Sequence, residues 1–228
     1  MMYWQENEGD SNSFQIPKDV VDLVFAIQCK ILPLDHGNAL QQAVVESIPW
    51  ISDEPQAAIH QIHVAESANG WNRPQDPSSE LLWPSRRTRL VLRVPQHRVE
   101  DCQSLTGRTL DINGHELTIG PAKEKLLSKL TTIFARYVDT EGSDQDQIFI
   151  QGMADILQQR NIHAKKMMSG LLVKHDTKEG HLLTRKLMLA GLSIEDSVRL
   201  QQQGIGDRQL MGIGIFLPHK GIDAVTPS

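Results

Sequence analysis

The predicted strands and helices of this chain occur in the same order twice. In the first half, a run dense in Val, Leu, Ile and Phe predicts a buried strand, and apolar residues at helical spacing behind Asp35, a favourable N-cap residue, predict a helix. Two strands, a helical piece and a strand pair joined at Asn113-Gly114 follow. These elements cover residues 19–29, 35–48, 58–65, 82–94, 96–105 and the segment up to 119.

The second half repeats this order, ending in a helix that Ser193 is predicted to cap, with Asp196 three residues later. Its elements cover residues 129–138, 145–159, 165–174, 182–192, 193–203 and 213–217. Each half then has the β-α-β-β-α-β order of a ferredoxin-like domain. We therefore expect an α+β fold of two tandem ferredoxin-like (RRM-like) domains, over residues 18–122 and 123–228, behind a disordered tail of residues 1–17.

Composition narrows the class of protein. Two widely spaced cysteines, Cys29 and Cys102, are typical of reduced thiols in a cytoplasmic protein. No run approaches the ~20 apolar residues of a membrane span, and no leader segment opens the chain. The net charge is −5, but residues 86–98 hold five arginines and no acid, and residues 160–186 hold seven Lys or Arg against two acids. This segregation allows a basic groove on an acidic protein.

Two Gly-Ile-Gly triplets stand between the last predicted helix and the last strand. Glycine occurs where φ must be positive or where another backbone comes close, so the pair predicts a loop pressed against a ligand chain, with Arg208 between the triplets as a cation. The alternative is a helix C-cap and a tight turn into a buried strand. The four glycines are Gly204, Gly206, Gly212 and Gly214.

His36 is the histidine whose position favours chemistry. It follows Asp35 at the first turn of the first predicted helix, where the helix end favours neutral imidazole and the carboxylate can orient the ring. Neutral imidazole can take a proton from a hydroxyl. The alternative is a capping or surface histidine. His60 and His63 would face opposite sides of a strand, and no Cys/His or Asp cluster has ligand spacing, so we expect no metal and no cofactor.

Basic residues on two strands predict a nucleic-acid surface. Arg87, Arg89 and Arg93 fall on one face of a strand, where positions repeat every two residues, or about 6.6 Å, close to the phosphate spacing of RNA. The alternative is a solvated sheet face. A second patch would contact an RNA stem through its shape and phosphates. It comprises Lys165, Lys166, Arg185 and Lys186.

Two tryptophans outside these patches, Trp71 and Trp83, have aromatic rings on which an unpaired base could stack. For both, a core role is favoured over stacking.

Three segments of this chain resemble the repeat-specific CRISPR endoribonucleases, the Cas6 family of the RAMP superfamily, in particular the Myxan-subtype branch. They are VDLVFAIQCKILPLDHGNALQQAV (21–44), LTGRTLDINGHELTIG (105–120) and RQLMGIGIFLP (208–218). The glycine pattern of the superfamily falls on the four glycines of the two triplets.

The resemblance implies metal-independent cleavage of repeats in CRISPR precursor RNA. The 2′-OH attacks the scissile phosphate and leaves a cyclic phosphate and a 5′-OH, with His36 at the position of the family's histidine and Lys30 as a candidate cation. The implied partners are precursor RNA, mature guide RNA held by its 3′ handle, and other subunits of an effector complex. Two alternatives remain: a non-catalytic RNA-binding subunit on the same fold, and a ferredoxin-like regulatory or assembly module with no RNA role.

Overall fold

The computed structural model describes residues 14–64, 81–177 and 180–220, which fold into a mixed α/β protein with two main antiparallel sheets. The strands of the N-terminal sheet are β1 (Val20–Gln28), β3 (Ala58–Ile59), β5 (Arg89–Pro95), β6 (Thr109–Ile112) and β7 (His115–Lys125). Their order in the sheet is β3-β5-β1-β7-β6. A two-stranded sheet pairs β2 (Leu32–Pro33) with β4 (Leu81–Leu82).

One face of the N-terminal sheet carries the first core. Leu23 and Phe25 of β1 and Leu92 of β5 are fully buried, together with Leu40 and Val44 of the first helix. Thr88, Leu90, Leu92 and Val94 are all buried, so the predicted apolar face of this strand is confirmed. The helices of this half are α1 (Gly37–Ser47) and α2 (Val99–Gln103), with 3-10 turns at Pro49–Asp53 and Gln96–Arg98.

The C-terminal sheet has a separate core. The elements of this half are β8 (Ile133–Asp139), α3 (Asp146–Gln159), β9 (Lys166–Thr177), β10 (Gly180–Ala190), α4 (Ile194–Gln203) and β11 (Phe216–Pro218). The strand order in the sheet is β11-β8-β10-β9, and a 3-10 turn at Gln209–Met211 precedes the last strand. Ala135, Phe149, Leu187 and Leu200 contribute to the core from two strands and two helices.

Local sequence signals located several element ends correctly. Asn113 and Gly114 both have positive φ in the hairpin turn between β6 and β7, as the Asn-Gly pair predicts. Ser193 accepts a hydrogen bond from the Asp196 N–H at 3.0 Å and caps α4. Gly204 ends that helix with φ +62°.

Other predicted element ends were wrong. The strand expected over residues 58–65 has only two residues, and the one expected over 82–94 is interrupted between β4 and β5. The N-cap of α1 is His36, not Asp35, and it has no side-chain capping bond. β7 continues to Lys125, which pairs with Asp22, so the N-terminal sheet extends three residues past the predicted domain border.

Arg93 lies in the interface between the two halves. Its guanidinium donates to both carboxylate oxygens of Asp22, at 2.8 and 3.1 Å, on the neighbouring strand. Its Nη1 donates to the backbone carbonyls of Gln201 in α4 and Phe216 in β11. The side chain is 2% exposed. The prediction of Arg93 as part of an exposed RNA-binding stripe is therefore wrong, because the second half of the chain covers that face of the sheet.

Asp22 and His60 complete this buried polar group. Burial raises the pKa of the Asp22 carboxyl. Its electrostatic interactions with Arg93 and then His60, and the hydrogen bonds from Arg93, lower it by more, so that the pKa lies below its ordinary value. The Nε2 atom of His60 is 3.8 Å from Asp22 Oδ1. Burial lowers the pKa of His60 to about 4 in spite of the nearby carboxylate, so this ring is neutral at pH 7.

The Arg93→Met substitution tests the interface. Removing the guanidinium leaves the Asp22 carboxylate buried without its partner, which is expected to cost roughly 3–5 kcal/mol of unfolding free energy. The matched control is Arg89→Met on the same strand, where the side chain is exposed, with an expected change within about 0.5 kcal/mol. Urea denaturation at pH 7 measures both. Equal midpoints for the two variants would contradict this role of Arg93.

His60 gives the stability a definite pH dependence. The pKa of His60 is about 4 in the folded chain, against an ordinary value of 6.5. Between these two pH values, the unfolded chain therefore binds a proton at His60 and the folded chain does not. Its contribution is complete above pH 6.5 and is lost as the pH falls towards 4. From pH 7 to pH 5, wild type should lose on the order of 1–2 kcal/mol more than His60→Gln in denaturation experiments. Parallel pH profiles for the two proteins would refute the assignment.

Candidate functional site

His36 is a buried ring whose two nitrogens are both used inside the protein. Its Nδ1 is 2.9 Å from the Pro33 carbonyl oxygen and 3.1 Å from that of Leu34, so Nδ1 carries the proton. Its Nε2 accepts the Ile62 backbone N–H at 2.9 Å. Burial lowers the pKa of His36, although the two carbonyls and Asp35 act in the opposite direction. The ring joins the entry of α1 to the segment after β3, and its catalytic role stays a prediction.

A group of polar side chains from both halves meets beside this ring; we call it the interdomain cluster. On the C-terminal side, the His175 ring packs edge-on against Tyr137, with ring centroids 4.7 Å apart. Its Nε2 lies 3.0 Å from Thr184 Oγ1, and its Nδ1 lies 3.5 Å from Asp35 Oδ1 of the N-terminal half. The cluster comprises Asp35, His36, His63, Arg136, Tyr137 and His175.

The position of His175 depends on the tertiary structure. The residue lies on β9 and is 6% exposed. Its carboxylate partner Asp35 is 140 residues away in the chain. Spacing along the sequence cannot identify such a pair.

His63 is the exposed histidine of the cluster. Its ring centroid is 6.3 Å from that of Tyr137, at an interplanar angle of 32°. Desolvation by the neighbouring side chains, and then the positive charge of Arg136, lower the pKa of His63 to about 3. The ring is neutral at pH 7 and open to an incoming molecule.

The glycine-rich loop packs mainly against the protein itself. The Ile205 N–H donates to the Gly214 carbonyl at 2.9 Å, and the Gly214 N–H donates to the Tyr137 carbonyl at 2.7 Å. A Cβ on Gly214 would overlap the carbonyl oxygen of Ile205, and one on Gly212 would meet Gln61 at 2.5 Å. All four glycines of the triplets have φ between +62° and +82°.

The loop also connects the two halves of the chain. Its 3-10 turn contacts α1 and β3, and Gln61 Nε2 donates to the Met211 carbonyl at 3.0 Å. The expected close backbone approach therefore exists at Gly204, Gly212 and Gly214, but the partner is the chain's own backbone or side chains rather than a bound ligand chain. The surroundings of Gly206 are open. Arg208 between the triplets is half-exposed, and its Nε lies 3.3 Å from Asp139 Oδ2.

The predicted basic residues divide into exposed and structural groups. Arg185 belongs to the second group: Nη1 donates to the Gly170 carbonyl at 3.0 Å and Nη2 to the Asp144 carbonyl at 2.6 Å. Its side chain is 13% exposed, so its prediction as an open RNA contact is wrong, because it fixes the β9–β10 pair to the segment before α3. Exposed side chains remain at Arg87, Arg89, Lys165, Lys166 and Lys186.

One face of the C-terminal sheet presents an aromatic ring among cations. The Phe134 centroid is 5.3 Å from the guanidinium carbon of Arg136 and 5.2 Å from the ammonium of Lys186. The ring of His219 meets it edge-on at 5.7 Å. Met188 pairs with Phe134 in the neighbouring strand and therefore lies on the same face. No pattern in the sequence singled out this surface, since its members come from two separate strands, β8 and β10, and from the residue after β11.

Trp83 is 67% exposed, which corrects the prediction of a core role. Trp71, the other tryptophan considered, lies outside the described residues.

Among the described residues, no group of three or more His, Cys, Asp or Glu side chains is arranged to hold a metal ion. In the same part of the chain, no helix has the length and apolar character needed to cross a membrane.

Two antiparallel sheets joined through a glycine-rich loop define the fold class, that of the RAMP proteins. A solved structure described as a RAMP protein binding different RNA substrates matches with a TM-score of 0.60 and 14% identity, over 86% of this chain and 98% of that one. A Cas6-related protein from Pyrococcus furiosus matches with a TM-score of 0.58 and 13% identity, over 87% and 98%.

The family follows from the sequence comparison. The family model described as Cas6 Crispr matches residues 21–221, so this chain belongs to the Cas6 family. It is 29% identical over 199 residues to the CRISPR-associated endonuclease Cas6 of Myxococcus xanthus (strain DK1622), which covers 87% of this chain and 81% of the relative. The resemblance noted from the three sequence segments is thereby confirmed.

Gly214→Ala tests the packing of the glycine-rich loop. The added Cβ would collide with the Ile205 carbonyl in a left-handed backbone conformation, so the expected loss is roughly 2–5 kcal/mol of unfolding free energy. Gly206→Ala is the matched control, because its φ is also positive but its surroundings are open, and about 1–2 kcal/mol is expected. Thermal denaturation compares the two, and an equal loss would show that steric contact at Gly214 is unimportant.

Proposed function

We propose that this protein is a metal-independent endoribonuclease that cleaves CRISPR precursor RNA within its repeats. After cleavage it stays bound to the 3′ handle of the mature guide RNA. The observation that carries the proposal is the family match over residues 21–221, together with a relative named as a CRISPR-associated endonuclease. The exposed cations and the histidine-containing interdomain cluster support it, because they suit an anionic substrate and proton transfer.

In the proposed reaction, the 2′-oxygen upstream of the cleaved bond attacks phosphorus and the bond to the 5′-oxygen breaks. A base takes the 2′-OH proton, the leaving oxygen gains a proton, and a cation offsets the charge that develops on the phosphate. The products are a 2′,3′-cyclic phosphate and a 5′-OH. Imidazole and guanidinium side chains of the cluster supply the groups that this chemistry requires.

The proposed RNA path uses exposed residues of both halves. Arg87 and Arg89 lie at the start of β5, and Lys165, Lys166 and Lys186 lie on or beside the β9–β10 hairpin. Long basic side chains with a solvent-exposed charge neutralise phosphates without reading sequence. Arg208 and the open backbone at Gly206 are proposed as further contacts, and the half-buried ring of Phe134 as a place for a base to stack.

We further propose that the two halves are ferredoxin-like domains that meet after Lys125. The support is that the first strand of each main sheet has the same kind of neighbours. In the first half β1 lies between β5 and β7, and in the second half β8 lies between β10 and β11. Residues 1–17 are proposed as a tail, residues 18–125 as the first domain and the remainder as the second. A cytoplasmic location and association with other subunits of an effector complex are proposals that follow from the family.

Incubation with the cognate repeat RNA in EDTA tests the activity. We expect one defined cut, with a cyclic phosphate on the upstream product. A single 2′-deoxy substitution at the cleaved position should abolish cleavage without affecting binding, because it removes the nucleophile. Cleavage of the deoxy substrate, or a strict need for a divalent cation, would overturn the mechanism.

The second candidate is a non-catalytic RNA-binding subunit on the same fold. The observation that favours it is the buried His36 ring, which has both nitrogens hydrogen-bonded within the protein. Salt-sensitive binding of the repeat without any cleavage would establish this role in place of the first. The absence of RNA binding altogether would contradict both.

Arg87→Ala/Arg89→Ala tests the basic surface. Each exposed arginine that neutralises a phosphate contributes about 0.7 to the slope of log affinity against log salt for single-stranded RNA, so the slope should fall by roughly 1–2. Arg98→Ala is the matched control from the same basic segment, because Arg98 is already paired with Glu54 and Asp101. Filter binding over a range of salt concentrations measures the slopes. An unaltered slope in the double variant would remove these arginines from the interface.

A further inference from the structure

The C-terminal sheet has a second face besides the one that carries its core. Ala135 of β8 and Leu187 of β10 are fully buried in the core that the sheet forms with α3 and α4. Phe134 and Met188 are the adjacent residues of the same strands and pair with each other. Because successive side chains of a strand alternate between faces, both lie on the opposite side, which we call the open face.

An apolar row crosses the open face from one edge of the sheet to the other. Phe134 pairs with Leu217 of β11 on one side, and Met188 pairs with Met168 of β9 on the other. Paired residues of neighbouring strands share a face, so the four side chains form a continuous row roughly 14 Å long. Met168 is 50% exposed, and the other three are half-buried. The row is therefore accessible to a ligand.

Cations border this row. The guanidinium carbon of Arg136 lies 5.3 Å from the Phe134 ring centroid, and the ammonium of Lys186 lies 5.2 Å from it. Lys166 stands two residues before Met168 on β9 and so shares its face. All three cations are exposed, and neither they nor the row include an acidic residue. An apolar strip with a central aromatic ring and cations beside it suits a ligand that has both flat bases and phosphates.

Unpaired RNA fits this surface better than an RNA stem does. In a stem the faces of the bases are covered by their neighbours, whereas a base of a single strand is free to stack on an aromatic ring. The four-stranded sheets of RRM domains use aromatic side chains in this way to hold two or three bases. A row of roughly 14 Å has room for two or three nucleotides of an extended strand.

We propose that the open face is a binding site for unpaired nucleotides, with one base stacked on Phe134 and the next base against Met188 and Met168. The inference rests on the proposed endoribonuclease function for the identity of the RNA, and it adds a single-strand site to that function. Arg136 and Lys186 contact the ring in the free protein and move to the flanking phosphates when a base stacks on it. This exchange is favourable, because stacking of a base is stronger than an exposed cation–π contact.

Fluorescence anisotropy with a short oligouridine RNA, which forms no stem, tests the site. Phe134→Leu keeps an apolar side chain but removes the aromatic ring, so the affinity should fall by at least about 5-fold, the lower end for one stacked base. The slope of log affinity against log salt should not change. Lys186→Gln should instead lower that slope by about 0.7, because one phosphate contact is lost. Phe134→Trp should retain the affinity.

Leu171→Ala is the matched control, because Leu171 is an apolar residue of β9 that is 76% exposed and outside the row. Its affinity for oligouridine should equal that of wild type. A blunt-ended RNA hairpin should bind wild type and Phe134→Leu equally, because its bases are paired. Thermal denaturation verifies that each variant is folded.

Abasic substitution identifies the nucleotide that stacks. When positions of the repeat RNA are made abasic one at a time, one unpaired position should weaken binding to wild type but not to Phe134→Leu, because that variant has no ring for the base to leave. If every position affects both proteins equally, the proposed contact is wrong.

Failure of this site and failure of the proposed function give different results. If wild type cleaves the repeat and Phe134→Leu binds oligouridine as tightly as wild type, the function stands and the single-strand site is wrong. Equal losses of affinity for oligouridine and the hairpin would also overturn the site, because the ring would then not distinguish unpaired bases. If wild type shows the expected binding pattern without cleavage, the site stands and the endoribonuclease function is wrong.

Discussion

The buried pair of Arg93 and Asp22 is the constraint on which the arrangement of the two halves depends. Both residues lie on the face of the N-terminal sheet that is turned away from its own core, where a charge would otherwise be solvated. Instead the guanidinium reaches the Gln201 carbonyl in the last turn of α4, where carbonyls lack helical partners and a cation is favoured. Because an unpaired charge there would be costly, the second half must dock in the position that satisfies Arg93.

The same docking assembles the candidate site. The glycine-rich loop bonds to Tyr137 on one side and to the segment around Gln61 on the other, so one loop fixes both walls of the interdomain cluster. His36 continues this connection by holding Ile62. The glycines thus support the site indirectly, through close contacts that a side chain would block.

Local patterns predicted most of the fold because they depend on neighbours in the sequence. Alternation identified the buried face of β5, the Asn-Gly pair located a hairpin, and Ser193 located the start of α4. The same reasoning failed for Arg93, since alternation assigns a side chain to a face of a strand but cannot tell what covers that face. It failed for Arg185 for the same reason, since its carbonyl partners, Gly170 and Asp144, are 15 and 41 residues away in the chain. No local pattern pairs His175 with Asp35, which is 140 residues away.

The amino-acid sequence by itself determined the order of strands and helices, the glycine motif and membership of the Cas6 family. These depend on periodicity, turn chemistry and short segments, which are local properties. Only the tertiary structure decided that Arg93 is buried, that His36 is enclosed and that His63 is exposed beside Arg136. Burial and hydrogen bonding of these groups depend on how two sheets with separate cores pack together, and that packing brings together residues far apart in the chain.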